Sequence, residues 1–262
     1  MSTPPAVART TCRACGQAGL ISIFSLGNHR VSNFVESEEG VAIPLDLVLC
    51  DVAAGGCGLL QLRHTVAREL LYIRYWYRSG INDSMRRALA ELAHRGEHMA
   101  RLRPGDVVLD IGCNDGTLLR SYTTPHLQLV GFESAVNLLS EARMGTTRIF
   151  NEFFRAAPFR QQFNGVKAAL ITSIAMFYDL DDPNEFIADV AACLKPDGLW
   201  LIEMSYLPLM LKRNILDNIC HEHLTYYSLF TLRPLLVRHG LDIVDVELND
   251  VNGGSFRVYV RH

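Results

Sequence analysis

From Gly105 onward the chain repeats one pattern: a short apolar run, a turn, then apolar positions at helical spacing. "VVLDIG" (107–112), "LQLVGFE" (127–133), "AALITSI" (168–174) and "LWLIEMS" (199–205) have the length and continuity of strands buried on both faces. "CNDGTLLRSY" reads as a turn entering a helix, and "PNEFIADVAACL" as an amphipathic helix ending at "KPDG". Such alternation predicts an α/β fold whose mostly parallel sheet has helices on both faces. The closing "LDIVDVELNDVNGGSFRVYVRH" predicts two strands joined around Asn252-Gly253-Gly254.

Two other blocks precede this one. Residues 1–65 hold only short apolar runs ("LISIFSL", "LDLVLC") among Cys, Gly and turn residues, too little for a self-sufficient core. Residues 66–100 read as helical, first over "VARELLYIRYWY" and then over "NDSMRRALAELAHRGEHMARL". Asn82, Asp83 or Ser84 can cap the second helix. The expected organisation is a small domain at 1–65, a helical connector at 66–100 that contributes to the substrate site, and an α/β domain at 101–262.

Composition narrows the classes. With 49% apolar and 20% charged residues and a formal net charge of −3, the chain has no excess of positive charge to hold nucleic acid or an anionic membrane. No apolar run approaches the roughly 18 residues of a membrane helix. The opening "MSTPPAVARTT" has no apolar signal core, so a cytoplasmic location is expected. In that reducing compartment, clustered cysteines point to a metal. Cys12 and Cys15 form a two-residue-spaced knuckle, and Cys50 and Cys57 complete a closed four-thiolate set for structural Zn2+. The second pair is widely spaced, and Gly55 and Gly56 let its loop fold back. Cys113, Cys193 and Cys220 read as buried small apolar residues.

The turn "VLDIGCNDGTLL" places Gly112 and Gly116 at the carboxyl end of the first strand, where open α/β sheets bind ligands. It departs from the dinucleotide pattern, and Asp110 and Asp115 beside it suit a cation better than a pyrophosphate. Glu133, ending the second strand, can accept two hydrogen bonds from a ribose. These residues, with Asn114 in the turn and Ser173 near the end of a later strand, are the candidate site for S-adenosylmethionine, whose sulfonium and ammonium are positive.

"CHEHLTYYS" (220–228) puts His221 and His223 on one face of a strand. Their spacing is wrong for a helical metalloprotease motif, because Thr225 and Tyr226 stand where the second histidine could fall. A proton-transfer role is the alternative.

Taken in order, the cysteines ending in "CGLLQL", the approach "YWYRSGIN", the loop "VLDIGCNDGTLL", the run "HEHLTYYSL" and the closing "NGGSFRVYV" resemble the zinc-containing S-adenosylmethionine-dependent C-methyltransferases of nucleotide-linked 4-keto-6-deoxy sugars. The resemblance covers nearly the whole chain. It implies a small zinc-binding domain followed by a Rossmann-like class I methyltransferase domain, and a nucleotide-linked sugar as substrate. It also implies that His223 is the base forming an enolate beside the ketone, with Glu222 and Tyr77 as neighbours at the sugar, Tyr75 and His221 as further candidates. Cys220 stands where several relatives have tyrosine, and relatives continue past the position of His262 into a third domain. A fragment, a naturally short form, or a partner supplying the missing surface are the expectations there. Methylation of oxygen or nitrogen on another small molecule, and a non-catalytic zinc-stabilised module, are the competing readings.

Overall fold

The computed structural model describes residues 5–31 and 40–262; the first four residues of the opening segment lie outside the described residues. The N-terminal part pairs β1 (Ala6–Ala8) with β5 (His64–Val66) and joins β2 (Leu20–Arg30), β3 (Ala42–Cys50) and β4 (Leu60–Leu62) as neighbours in a second sheet. β2 is an edge strand exposed along nearly its whole length.

The connector departs from its helical reading. Only α1 (Arg68–Tyr72) is helical before residues 73–78 run as an extended strap, and α2 (Asp83–Ala100) follows. Side-chain amides hold the strap: Asn137 Oδ1 accepts from the Tyr75 backbone N–H at 3.0 Å, and Asn137 Nδ2 donates to the Tyr75 carbonyl at 2.8 Å. α2 starts at Asn82, whose Oδ1 accepts from the Met85 N–H at 2.7 Å, a cap of the kind typically worth ~1 kcal/mol.

The large sheet is built from β6 (Val107–Ile111), β7 (Gln128–Phe132), β8 (Arg148–Phe150), β9 (Ala168–Ile174) and β10 (Leu194–Ser205). These five strands are parallel in the order β8-β7-β6-β9-β10. Short α3 (Leu139–Ala142), α4 (Ala156–Gln162) and α5 (Pro183–Cys193) lie in the crossovers. After β10 come α6 (Leu207–Arg213), the two-residue β11 (Thr225–Tyr226) and α7 (Leu229–Val237). β12 (Asp242–Asn249) and β13 (Ser255–Arg261) close the sheet as a hairpin, with β13 antiparallel to β10. β6 is buried at every position because one apolar cluster, with Leu109, Ile187 and Leu235, covers one face and another, with Leu92, Leu118 and Leu170, covers the other. Each such fully buried aliphatic contributes about 1.5–3 kcal/mol. No α-helix follows β6: Gly112, Asn114 and Gly116 all have φ between +53° and +77°, which breaks helical continuity, and only a three-residue 3-10 turn forms at Leu119–Ser121.

Two links cross the domain reading. β11 pairs not with the large sheet but with β4, so residues 225–226 complete the N-terminal sheet. Arg13, between Cys12 and Cys15, is buried with a guanidinium that donates to Gln61 Oε1, the Leu62 carbonyl, Thr65 Oγ1 and Asp181. Asp181 lies in the loop after β9, and Arg9 and Thr65 also donate to it. Removing the guanidinium in Arg13→Ala strands buried acceptors, so urea unfolding should show a loss of roughly 1–3 kcal/mol. A change within ±0.5 kcal/mol, as for an ordinary surface site, would mean that the link is idle.

Candidate active site

The order of the parallel strands reverses between β6 and β9, and a crevice opens there at their carboxyl ends. It forms a cavity of about 1340 Å³, large enough for a cofactor and an acceptor together. Asp110, Gly112 and Asn114 come to it from β6 and its turn, Glu133 from the end of β7, Met176 and Asp179 from the loop after β9, Tyr75 and Tyr77 from the strap, and Glu222 and His223 from the segment before β11.

The cofactor wall has the local geometry expected of a turn that receives a ligand. Gly112, at φ +73°, passes beneath Met176 without a side chain in the way. Glu133 is buried and its carboxylate accepts from the Asn114 N–H at 2.8 Å and the Ala135 N–H at 2.7 Å. Burial raises its pKa, against those hydrogen bonds. Burial likewise pushes Asp110 up to about 7, opposed by the Thr172 hydroxyl that donates to it at 2.6 Å and helped by the Glu133 charge. Two buried carboxyls with no ion-pair partner among the described residues suit a cationic ligand, so the donor set fits S-adenosylmethionine.

Three cofactor-site expectations are placed elsewhere. Asp115 turns away from the cavity, accepting from the Gly80 N–H at 2.7 Å and the Thr117 N–H at 3.0 Å, and so ties the strap to the turn. Gly116 is a packing glycine, since a Cβ there would meet the Ala142 backbone at about 3.0 Å. Ser173 is fully buried under the Trp200 indole, which donates to it at 3.1 Å, and does not line the cavity.

The two histidines part company. Residues 221–223 form a turn rather than a strand, so the shared-face expectation does not hold. His221 faces the N-terminal sheet, where its Nε2 meets the Ile43 carbonyl at 2.9 Å and its buried Nδ1 has no partner. His223 lines the cavity, with its ring 4.3 Å from that of Tyr178. Its Nδ1 lies 2.8 Å from the Asn218 carbonyl, which can only accept; the proton is therefore on Nδ1 and the lone pair on Nε2. Burial pulls the His223 pKa down to about 4, so the imidazole is neutral throughout the physiological range. Glu222 accepts from the Tyr75 hydroxyl at 3.1 Å, and burial raises its pKa. Tyr77 lines the cavity while its carbonyl accepts from Asn114 Nδ2 at 3.1 Å.

Sequence reasoning missed Asp179, Tyr178 and Tyr72. All lie within "LYIRYWY" or "MFYDLDDP", and the second stretch follows a core parallel strand, the position at which such sheets place ligand-binding loops.

Away from the cavity, the Sγ atoms of Cys12, Cys15, Cys50 and Cys57 all lie within 4.8 Å of one another, with Cys12–Cys57 at 3.6 Å and Cys15–Cys50 at 3.5 Å. A tetrahedron with Zn–S bonds of about 2.3 Å has sulfur–sulfur edges of roughly 3.8 Å. Burial pushes the Cys50 thiol up to about 11, so four thiolates need a cation among them. The set fits Zn2+ with no open position, a structural role.

A five-stranded parallel sheet closed by an antiparallel hairpin, with a glycine turn and an acidic residue at the ends of its first two strands, defines a class I Rossmann-like methyltransferase fold preceded by a zinc-binding domain. The chain belongs to the methyltransferase-domain family, whose profile matches residues 77–246; a zinc binding domain profile matches residues 12–72. It is similar to the C-methyltransferase NovU of Streptomyces niveus, with 32% identity over 254 residues, 95% of this chain. The chain spans 60% of NovU's length. In fold it is similar to an S-adenosylmethionine-dependent methyltransferase from Clostridium acetobutylicum (TM-score 0.50, 16% identity, covering 67% of this chain and 91% of that one). It is likewise similar to the magnesium protoporphyrin IX methyltransferase ChlM of Synechocystis bound to S-adenosylhomocysteine (0.50, 13%, 71% and 90%). Among the described residues no helix is long and apolar enough to cross a membrane.

The raised carboxyls give the cofactor wall a pH signature. Below about pH 7 Asp110 becomes neutral, and a ligand carrying a sulfonium loses more than one without it. Calorimetry from pH 8 to pH 5.5 should show S-adenosylmethionine weakening more than S-adenosylhomocysteine as pH falls. Parallel titration curves for the two would remove Asp110 from the cofactor's charge environment.

Proposed function

We propose that the protein transfers a methyl group from S-adenosylmethionine to the carbon next to the ketone of a nucleotide-linked 4-keto-deoxy sugar. The observation that carries this reading is the lone pair of His223 Nε2, on a neutral imidazole, in the cavity that also receives Gly112 and Glu133. The named activity of NovU, a C-methyltransferase, and the order of motifs shared with the sugar enzymes support it.

A ketone acidifies the hydrogen on the adjacent carbon, because the electron pair left behind spreads onto oxygen. When bound, the cofactor supplies an electrophilic methyl on a positive sulfur. The chain's own work is then to remove the proton, orient the sugar and exclude water. His223 takes the proton at Nε2 while the Asn218 carbonyl, bonded at Nδ1, fixes the tautomer. General-base catalysis of this kind contributes about 10²–10⁴-fold. Glu222 holds the Tyr75 hydroxyl, and Tyr77 borders the space left for the sugar. Holding carbon and methyl in near-attack geometry supplies a further ~7–11 kcal/mol. His221 has no part, its ring being committed to the Ile43 carbonyl.

The lining also favours a second reading, O- or N-methylation of another small molecule. Carboxylates outnumber the three lining arginines, Arg9, Arg68 and Arg155, several-fold, and Arg9 is already paired with Asp181. A diphosphate is repelled by such a wall unless it stays at the arginine-bearing rim.

The test separates the two. Wild type and His223→Ala are incubated with dTDP- and GDP-linked 4-keto-6-deoxy sugars and S-adenosylmethionine in heavy water, and the products are read by mass spectrometry. A methyl gained on the sugar, lost about 10²–10⁴-fold in His223→Ala with cofactor affinity intact, is the expected result. Turnover unaffected by the substitution would remove the enolate mechanism and favour methylation on oxygen or nitrogen.

A further inference from the structure

Beside His223 the cavity holds a second ionisable feature. Asp179 ends a 3-10 turn after β9 and lines the cavity. Its Oδ1 is sealed from solvent and has no hydrogen-bond partner. Glu222, buried, faces the same space from the segment before β11. The Tyr72 hydroxyl donates to the Glu222 carbonyl at 3.3 Å and lies near the Asp179 carboxyl. No lysine or arginine forms an ion pair with either carboxyl among the described residues. The other titratable groups packed around them are Tyr72 and Tyr75 from α1 and the strap, Tyr178 from the same turn, and Cys220, His223 and Tyr226 from the segment around β11, none of them a cation at neutral pH.

We propose that Asp179 and Glu222 share one proton at neutral pH, and that the carboxyl holding it donates a hydrogen bond to the carbonyl oxygen of the acceptor. Two buried carboxyls without a counter-cation cannot both ionise cheaply, and burial and the Glu222 charge together raise Asp179 well above the usual carboxylate range. Asp179 lines the cavity with one oxygen sealed and unpartnered, an arrangement that disfavours its charged form. The use of the proton rests on the enolate reading given above. In that step the carbon–hydrogen bond breaks and the proton goes to His223 Nε2. The freed pair becomes the carbon–carbon double bond, and the carbonyl π pair moves to oxygen, where the carboxyl's hydrogen bond meets the growing charge. Nothing is oxidised or reduced. A preorganised donor at a developing oxyanion is worth about 10²–10³-fold in rate.

Infrared difference spectra of the whole protein, with 13C-labelled carboxyl side chains, test the shared proton without any substrate. A protonated-carboxyl band at pH 7, additional to that of Asp110, which is lost in both Asp179→Asn and Glu222→Gln, is expected; a spectrum that neither substitution changes overturns the proposal. Enzyme-dependent deuterium incorporation into dTDP-linked 4-keto-6-deoxyglucose tests its use. Asp179→Ala should lower exchange about 10²–10³-fold at unchanged S-adenosylmethionine affinity, while Asp179→Asn, which keeps an N–H donor, should lower it less. Exchange unchanged in Asp179→Ala overturns the donor role. Wild type that exchanges no keto sugar, yet shows the band, refutes the sugar reading and leaves the shared proton standing.

Discussion

The cavity wall that carries Tyr178 and Asp179 is tied to a guanidinium buried in the cysteine knuckle. Arg13 sits between two thiolate ligands, and burial lowers its pKa only to about 10, so it stays charged at neutral pH. Its partners decide the outcome: Asp181 and neutral acceptors of the N-terminal sheet surround it, and Asn184 donates from α5 to the Arg13 and Ala14 carbonyls. A buried charge with its donors met is tolerated, whereas one deprived of partners is strongly destabilising. The metal domain is therefore more than a stabilising appendage. It grips the loop that carries Tyr178 and Asp179, and through the pairing of β11 with β4 it also grips the segment that carries Glu222 and His223.

The cavity then divides by charge. At the β6 and β7 ends, Asp110 and Glu133 stand without cationic partners, an arrangement that gains from a positive ligand. At the seam, burial holds His223 neutral, with the Tyr178 ring packed against it. A neutral imidazole suits a cavity whose unpaired carboxyls favour a positive ligand, since an imidazolium there would repel such a ligand. The strap and the turn after it, residues 73–80, close one side, stapled to the glycine turn by Asn114 and Asp115, which gives Asp115 a structural use.

The legible part of the fold was the part governed by two-sided burial. The strands over 107–111, 128–132 and 168–174 appear where continuous apolar runs stood, and the closing hairpin forms around Asn252-Gly253-Gly254. The four cysteines converge despite their unequal spacing. What failed was local continuation: the helix expected after Ile111 yields to three left-handed residues, and "YIRYWY" follows side-chain amides of Asn137 rather than its own periodicity. The shared face for His221 and His223 failed for a tertiary reason, since the chain must turn there to reach β4. Asp179 left no trace, because one acid among several in a polar connector has no period to betray it; only the fold reveals which of them faces the cavity.

The metal domain holds the cavity wall formed by residues 176–183 and 218–227 in place. Hydrogen exchange of the backbone amides, followed with zinc bound and after its removal, measures this hold. Losing the metal should deprotect both segments together with the knuckle, while β6 and β9 stay protected. Deprotection confined to residues 12–57, with both cavity segments unchanged, would contradict it.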